Sequence, residues 1–127
     1  MQRIYSETAP TPIGPYSQAI RAGDYVFCSG SIPTDPATGE LVPGDVSDQT
    51  RQVMKNIASV LAAAELSFAD VVKTTIFLVD INDFAAVNVV YGENFGPTPP
   101  ARSTVAVGAL PKGSRVEIEV VAFAGGR

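Results

Sequence analysis

The sequence predicts an α+β fold in which two helices cover one face of a sheet. Short runs rich in Val, Ile, Thr and aromatic residues, each bounded by turn residues, read as strands. Two longer segments repeat their apolar residues at helical spacing. The order along the chain is strands, helix, strand, helix, strands, which suits one sheet layer under one helix layer. At 127 residues the chain fits a single domain spanning 1–127.

A short strand is expected near Gln2–Tyr5, and further strands over Gln18–Arg21 and Tyr25–Ser31. Gly14-Pro15 and the stretch from Pro33 to Gly44 mark loops. The first helix is expected over Val46–Glu65. There Val46, Thr50, Val53, Met54, Ile57, Val60, Leu61 and Ala64 share a stripe that leaves Asp48, Arg51, Lys55 and Ser59 outside. Asp45 or Ser47 can cap its start. A strand over Val71–Val79 leads to the second helix, Asn82–Asn94, with Phe84, Val87, Asn88, Tyr91 and Phe95 in one stripe and Asn82 or Asp83 as candidate cap. After a loop at Gly96–Pro100 come a strand over Ala101–Val107, a turn at Leu110–Gly113 and a last strand over Arg115–Ala124. Gly125-Gly126-Arg127 reads as a frayed tail.

Composition narrows the chemistry. Hydrophobic residues make up 46% and charged residues 17%, an apolar balance that points to a generous core or to surface covered by a partner subunit. The formal net charge is -4 and the basic residues stand singly, which weighs against nucleic acid as the main ligand. The single Cys allows no internal disulfide, no signal peptide is visible, and no apolar run nears the ~20 residues that span a membrane. A reducing cytosol is the simplest location. With no His, the chain lacks Ser-His-Asp and Cys-His nucleophile systems and His-ligated zinc, so acid–base work falls to Asp, Glu, Lys or Tyr.

Strand alternation sorts the side chains into two faces. Val26, Cys28 and Gly30 oppose Tyr25, Phe27 and Ser29; Val105 and Val107 oppose Arg102 and Thr104; Val116, Ile118 and Val120 oppose Glu117, Glu119, Val121 and Phe123. One face reads as the helix-covered core. The other mixes aromatics with polar groups, and the expectation is that it meets another subunit, with Ser29, Arg102 and Glu117 in or beside that interface.

Each candidate has a functional and a plain reading. Arg102 follows Thr98-Pro99-Pro100-Ala101, a stiffened approach, and its planar fork suits a carboxylate or phosphate; a surface salt bridge is the commoner use of such an Arg. Glu117 lies in an apolar strand, where partial desolvation raises a carboxyl pKa toward neutrality; a solvated or salt-bridged Glu is the ordinary alternative. Asn88, if buried in its helix stripe, needs hydrogen-bond partners, supplied by a ligand or by a neighbouring loop. Tyr16 after Gly14-Pro15, and Ser29 before Gly30, offer hydroxyls to a pocket or simply complete a turn and a strand end. Cys28, without a His to activate it, reads as a packing residue, and Lys73 and Lys112 as solvated charges.

Taken together, the motifs have a family likeness. Ile13-Gly14-Pro15-Tyr16-Ser17-Gln18-Ala19, Cys28-Ser29-Gly30 with Ile32-Pro33, and Val72-Lys73-Thr74-Thr75 resemble the RidA (YjgF-like) reactive-intermediate deaminases. So do Asn82-Asp83-Phe84 through Val87-Asn88, Pro100-Ala101-Arg102-Ser103, and Leu110-Pro111-Lys112-Gly113 followed by Val116-Glu117-Ile118-Glu119. The resemblance runs from Ile4 to Ala122. It implies a chorismate-mutase-like fold, a mixed sheet with two helices on one face, and a homotrimer with ligand sites between subunits. It also implies hydrolysis of 2-imino acids and their enamine forms (2-iminopropanoate, 2-iminobutanoate) to 2-keto acids and ammonia, without metal or cofactor.

Carried over by resemblance, Arg102 holds the substrate carboxylate and Glu117 positions or activates water or handles the imine proton. Tyr16, Ser29 and Asn88 line the pocket or orient water, Gly30 and Thr104 offer backbone N–H groups, and Phe84 is an apolar wall. Two departures stand out: many relatives carry Cys at Thr104, and the segment from Glu93 to Pro99 is a few residues short. Two other functions stay open, a non-catalytic module that binds small keto acids and an endoribonuclease or translation inhibitor, the latter disfavoured by the acidic composition.

Overall fold

The computed structural model describes residues 1–125. Of the tail expected at Gly125-Gly126-Arg127, the last two residues lie outside them. The chain begins with an antiparallel meander of β1 (Gln2–Ile4), β2 (Ala19–Ala22) and β3 (Tyr25–Cys28). Helix α1 (Val46–Ala63) follows, then β4 (Val71–Leu78), α2 (Phe84–Gly92), β5 (Ala101–Ala106) and β6 (Val116–Phe123).

Local chemistry sets the element ends. Asp45 caps α1 through a reciprocal pair: the Asp48 N–H donates to the Asp45 carboxylate and the Asp45 N–H to the Asp48 carboxylate, both at 3.0 Å. The helix stops at Ala63, short of the expected Glu65, because Glu65 turns left-handed (φ 61) and the Leu66 N–H closes back on the Leu61 carbonyl at 2.9 Å. Asp83 takes the N-cap position of α2, as expected, but makes no side-chain capping bond, because its carboxylate receives the Arg115 guanidinium at 2.8 and 3.0 Å. Asp80 caps the single turn Ile81–Asp83 before it, accepting the Asn82 N–H at 2.9 Å. Strand β3 also ends early, at Cys28. The Ser29 N–H turns to the Gln18 carbonyl, and only an isolated bridge from Ser31 to Ile118 rejoins the sheet.

The six strands form one mixed sheet in the order β1-β2-β3-β6-β4-β5. Only β4 and β5 run parallel. A parallel pair needs a crossover, and α2 supplies it, which lays α2 over the β4–β5 edge. The α1 stripe fills the core as expected, with Val53, Ile57 and Leu61 packed among Ile76, Val116, Ile118 and Val120. Each such side chain contributes on the order of 1.5–3 kcal/mol by leaving water. The opposite face is uncovered. Tyr25, Phe27 and Phe123 remain 43%, 48% and 40% exposed there, with the Tyr25 and Phe123 rings 5.3 Å apart. No helix among the described residues is long and apolar enough to cross a membrane.

Candidate functional site

Residues opposite one another across a ladder share a face, so the register decides where each candidate points. Arg102 stands opposite Thr74, and Thr74 opposite Val120, a core residue. Arg102 therefore lies on the helix side of the sheet. Val105 stands opposite Phe77, and Phe77 opposite Glu117, on the uncovered side. This corrects the expectation that Arg102 shares a mixed face with Ser29 and Glu117. The alternation within β5 is as expected. Its sense is set by the parallel pairing to β4, and an edge strand is covered loosely enough to leave room for a guanidinium beside the helix.

The Arg102 cluster is built on α2. Phe84, Asn88 and Tyr91 recur at i, i+4 and i+7, so they line one side of the helix. The guanidinium carbon sits 5.1 Å from the centre of the Tyr91 ring and 5.4 Å from that of Phe84, within cation–π range. Its Nη1 donates to the Asn88 Oδ1 at 2.6 Å. Asn88 is exposed, so the expectation of a buried amide is corrected; its partner is Arg102. Among the described residues no carboxylate forms an ion pair with Arg102, whereas Arg115 is taken by Asp83 and Arg51 by Asp48. Two residues along, the Thr104 hydroxyl is buried with no hydrogen-bond partner among the described residues.

The Glu117 cluster sits across the sheet. Glu117 is half-buried, and burial first, then the neighbouring Glu119 charge, push its carboxyl above the ordinary glutamate range. Gly30 packs directly under it: a Cβ there would stand 2.9 Å from the Glu117 carboxyl carbon and collide with its oxygen. Ser29 is engaged rather than free, its hydroxyl donating to the Ser17 carbonyl at 2.6 Å and its N–H to the Gln18 carbonyl at 2.9 Å. These bonds tie the Tyr16 turn to the Gly30–Glu117 neighbourhood. Tyr16 itself is 52% exposed, and its hydroxyl accepts a long 3.4 Å bond from the Ile13 N–H.

Cys28 packs against the core as a half-buried thiol, pushed up to about 12 by burial, and so is a poor nucleophile. Lys112 is not simply solvated, since it ties two loops by donating to the Gly39 carbonyl at 2.7 Å. No group of three or more metal-ligating side chains occurs among the described residues. A shallow polar groove of about 470 Å³, lined by Glu7, Asp35, Lys55, Asn56 and Ser59 among others, includes none of the predicted site residues. Sequence reasoning placed Tyr91 only in the core stripe and gave Thr74 no role. The usable signal was the crossover: a helix joining parallel neighbours lies over both, which sets its inward stripe against the edge-strand Arg.

The architecture and motifs match known proteins. A family model described as endoribonuclease L-PSP matches residues 6–124. The chain is 56% identical over 120 residues to a RutC family protein from Pyrococcus horikoshii, covering 94% of this chain and 95% of that one. It is 49% identical over 126 residues to 2-iminobutanoate/2-iminopropanoate deaminase from Capra hircus, covering 98% and 92%. The crystal structure of E. coli TdcF with bound serine superposes with a TM-score of 0.92 at 44% identity, covering 97% of this chain and 98% of TdcF. On fold, motif order and identity alike, the chain belongs to the endoribonuclease L-PSP family, the RidA (YjgF-like) proteins.

Proposed function

We infer that this protein hydrolyses the C=N bond of short 2-imino acids, 2-iminopropanoate and 2-iminobutanoate, and of their enamine tautomers. The observation that carries this reading is Arg102: a guanidinium drawn half out of water onto two rings and held by a neutral amide instead of a carboxylate. Such a cation is left free to take an external carboxylate in a two-point grip. The relative from Capra hircus bears the name of this activity, and the structure of TdcF holds serine, a carboxylate with nitrogen on the adjacent C2.

In this reading Arg102 and Asn88 fix the carboxylate and Phe84 walls the short side chain. Water adds its oxygen to C2, the C–N bond breaks, and nitrogen leaves as ammonia. Glu117, with its raised carboxyl, shuttles the proton between the water and the departing nitrogen. Gly30 and Thr104 contribute backbone N–H groups, and Tyr16 and Ser29 shape the wall beside them. Since the imine is already reactive, orientation and one proton relay are sufficient, and neither metal nor cofactor is invoked.

Arg102 and Glu117 lie on opposite faces of one sheet, so a small ligand meets both only if they come from different copies. The uncovered aromatic face supplies a surface for such contact, and we assign the working form as a cytoplasmic homotrimer with sites between subunits. The test couples a dehydratase that releases the imine to 2-keto-acid formation. Wild-type protein is expected to exceed the spontaneous rate, and Arg102→Ala to lose about 100-fold, the worth of a charge-assisted two-point contact. A wild type that adds nothing to the spontaneous rate, or a fully active Arg102→Ala, overturns the reading.

A further inference from the structure

We propose that Tyr91 and Thr74 are positioning residues for Arg102: their mutual hydrogen bond fixes the ring on which the guanidinium rests, and so sets how tightly the protein grips a carboxylate. The proposal rests on the role given to Arg102 above. Tyr91 is 4% exposed and Thr74 1%, and their hydroxyls meet at 2.8 Å. Thr74 is also the residue directly opposite Arg102 on the neighbouring strand. One short loop of contacts thus closes through β4, α2 and β5: Thr74 to the Tyr91 hydroxyl, the Tyr91 ring to Arg102, and Arg102 back to Thr74 by strand pairing.

The ring is held from a second side. Phe95 packs against Tyr91 at 4.8 Å, and Phe68 against Phe95 edge-on at 5.4 Å. Tyr91 is therefore fixed at its tip by Thr74 and by Phe95 packed against its ring, while it and Phe84 carry the charge of Arg102. Packing alone does not call for this pair of hydroxyls. Val at 74 and Phe at 91 would fill nearly the same space, and exchanging both partners of a buried hydrogen bond for apolar groups of the same shape is close to neutral for stability. What the pair adds is direction: it limits how far the ring can slide along the strand, and with it the fork of Arg102. Preorganisation of this kind lowers the cost of ordering a side chain upon binding.

The experiment uses the full chain, with 2-ketobutyrate as the carboxylate probe in calorimetry and melting curves alongside. Thr74→Val and Tyr91→Phe each leave one buried hydroxyl unpaired, so both should melt lower and bind about three- to tenfold more weakly. The double variant removes both hydroxyls. It should recover the wild-type melting temperature while its affinity stays three- to tenfold low, a split that a purely structural role would not give. The Arg102 Hε resonance, shifted by the rings beneath it, should move toward the random-coil position in all three variants. A double variant that binds as tightly as wild type, with an unmoved Arg102 signal, overturns the proposal. Arg102→Ala serves as the reference. If it binds the probe as well as wild type does, the carboxylate role of Arg102 falls, whereas the Hε signal still decides whether Tyr91 and Thr74 position the side chain.

Discussion

The two clusters differ in how each holds its charge. On the helix side Arg102 keeps its positive charge without an anionic partner among the described residues, resting on aromatic faces and a neutral amide. On the uncovered side Glu117 sits among apolar neighbours beside another carboxylate, so its charged form is disfavoured. In the proposed function one cluster binds an anion and the other trades a proton. The sheet between them keeps the two from neutralising each other, as Arg115 and Asp83 do. A free cation and a reluctant anion stay separate in a single chain because they lie on opposite faces of the sheet; in the proposed function a second copy brings them to one ligand.

The largest expected effect breaks the Glu117 half. Glu117→Gln should keep the fold and lower imine hydrolysis by about 10²- to 10⁴-fold, the range for loss of a general acid–base group, with 2-ketobutyrate binding reduced far less. A variant retaining most of its turnover would move the chemistry elsewhere. Next in size is a mixing experiment. Arg102→Ala and Glu117→Gln chains, each nearly inactive, are denatured together and refolded. If each site takes Arg102 from one copy and Glu117 from another, about a quarter of the sites regain both residues in a random cyclic assembly, and activity returns to that fraction. No recovery from a mixture shown by mass to be mixed would contradict the shared site.

Gly30→Ala tests the packing under the carboxylate. Gly30 is not in the left-handed region, so the demand here is for space, and the group that must yield is the movable end of Glu117. Turnover should fall about tenfold from a displaced general base, with little change in melting temperature. An unchanged rate would show that Glu117 has freedom to spare. The smallest effect concerns stability. Because folding raises the Glu117 carboxyl pKa, its charged form weakens the fold: the cost is absent below the unfolded value, near 4.5, and grows as pH rises through the folded one. Glu117→Gln should thus melt higher than wild type at pH 7, and the difference should close by about pH 3.5. A lower melting point at pH 7 would mean that Glu117 stabilises the fold it is thought to strain.

Much of this was legible beforehand, for identifiable reasons. The α1 stripe, the Asp45 cap and the alternation within β5 and β6 are local patterns, and local periodicity expresses itself wherever the segment packs. The end of α1 at Ala63 falls two residues before the expected Glu65 because Glu65 serves a left-handed turn, and Asp83 stands at the α2 N-cap without capping because its carboxylate is taken by Arg115. Asn88 lies on the helix stripe its spacing predicts, but at the open margin where α2 overhangs the edge strand, so its amide is exposed.

The sequence by itself determined the residue types and their spacing: an Arg after paired prolines, a Glu in an apolar strand, a Ser-Gly pair at a strand end, and no His to build a different chemistry. The tertiary structure alone decided that Arg102 and Glu117 point away from each other. Alternation says which neighbours share a face but not which face a strand turns to the helices. That choice is made by pairing, here by a parallel β5 on the outside of β4, and pairing between distant segments leaves no trace in the period of either one.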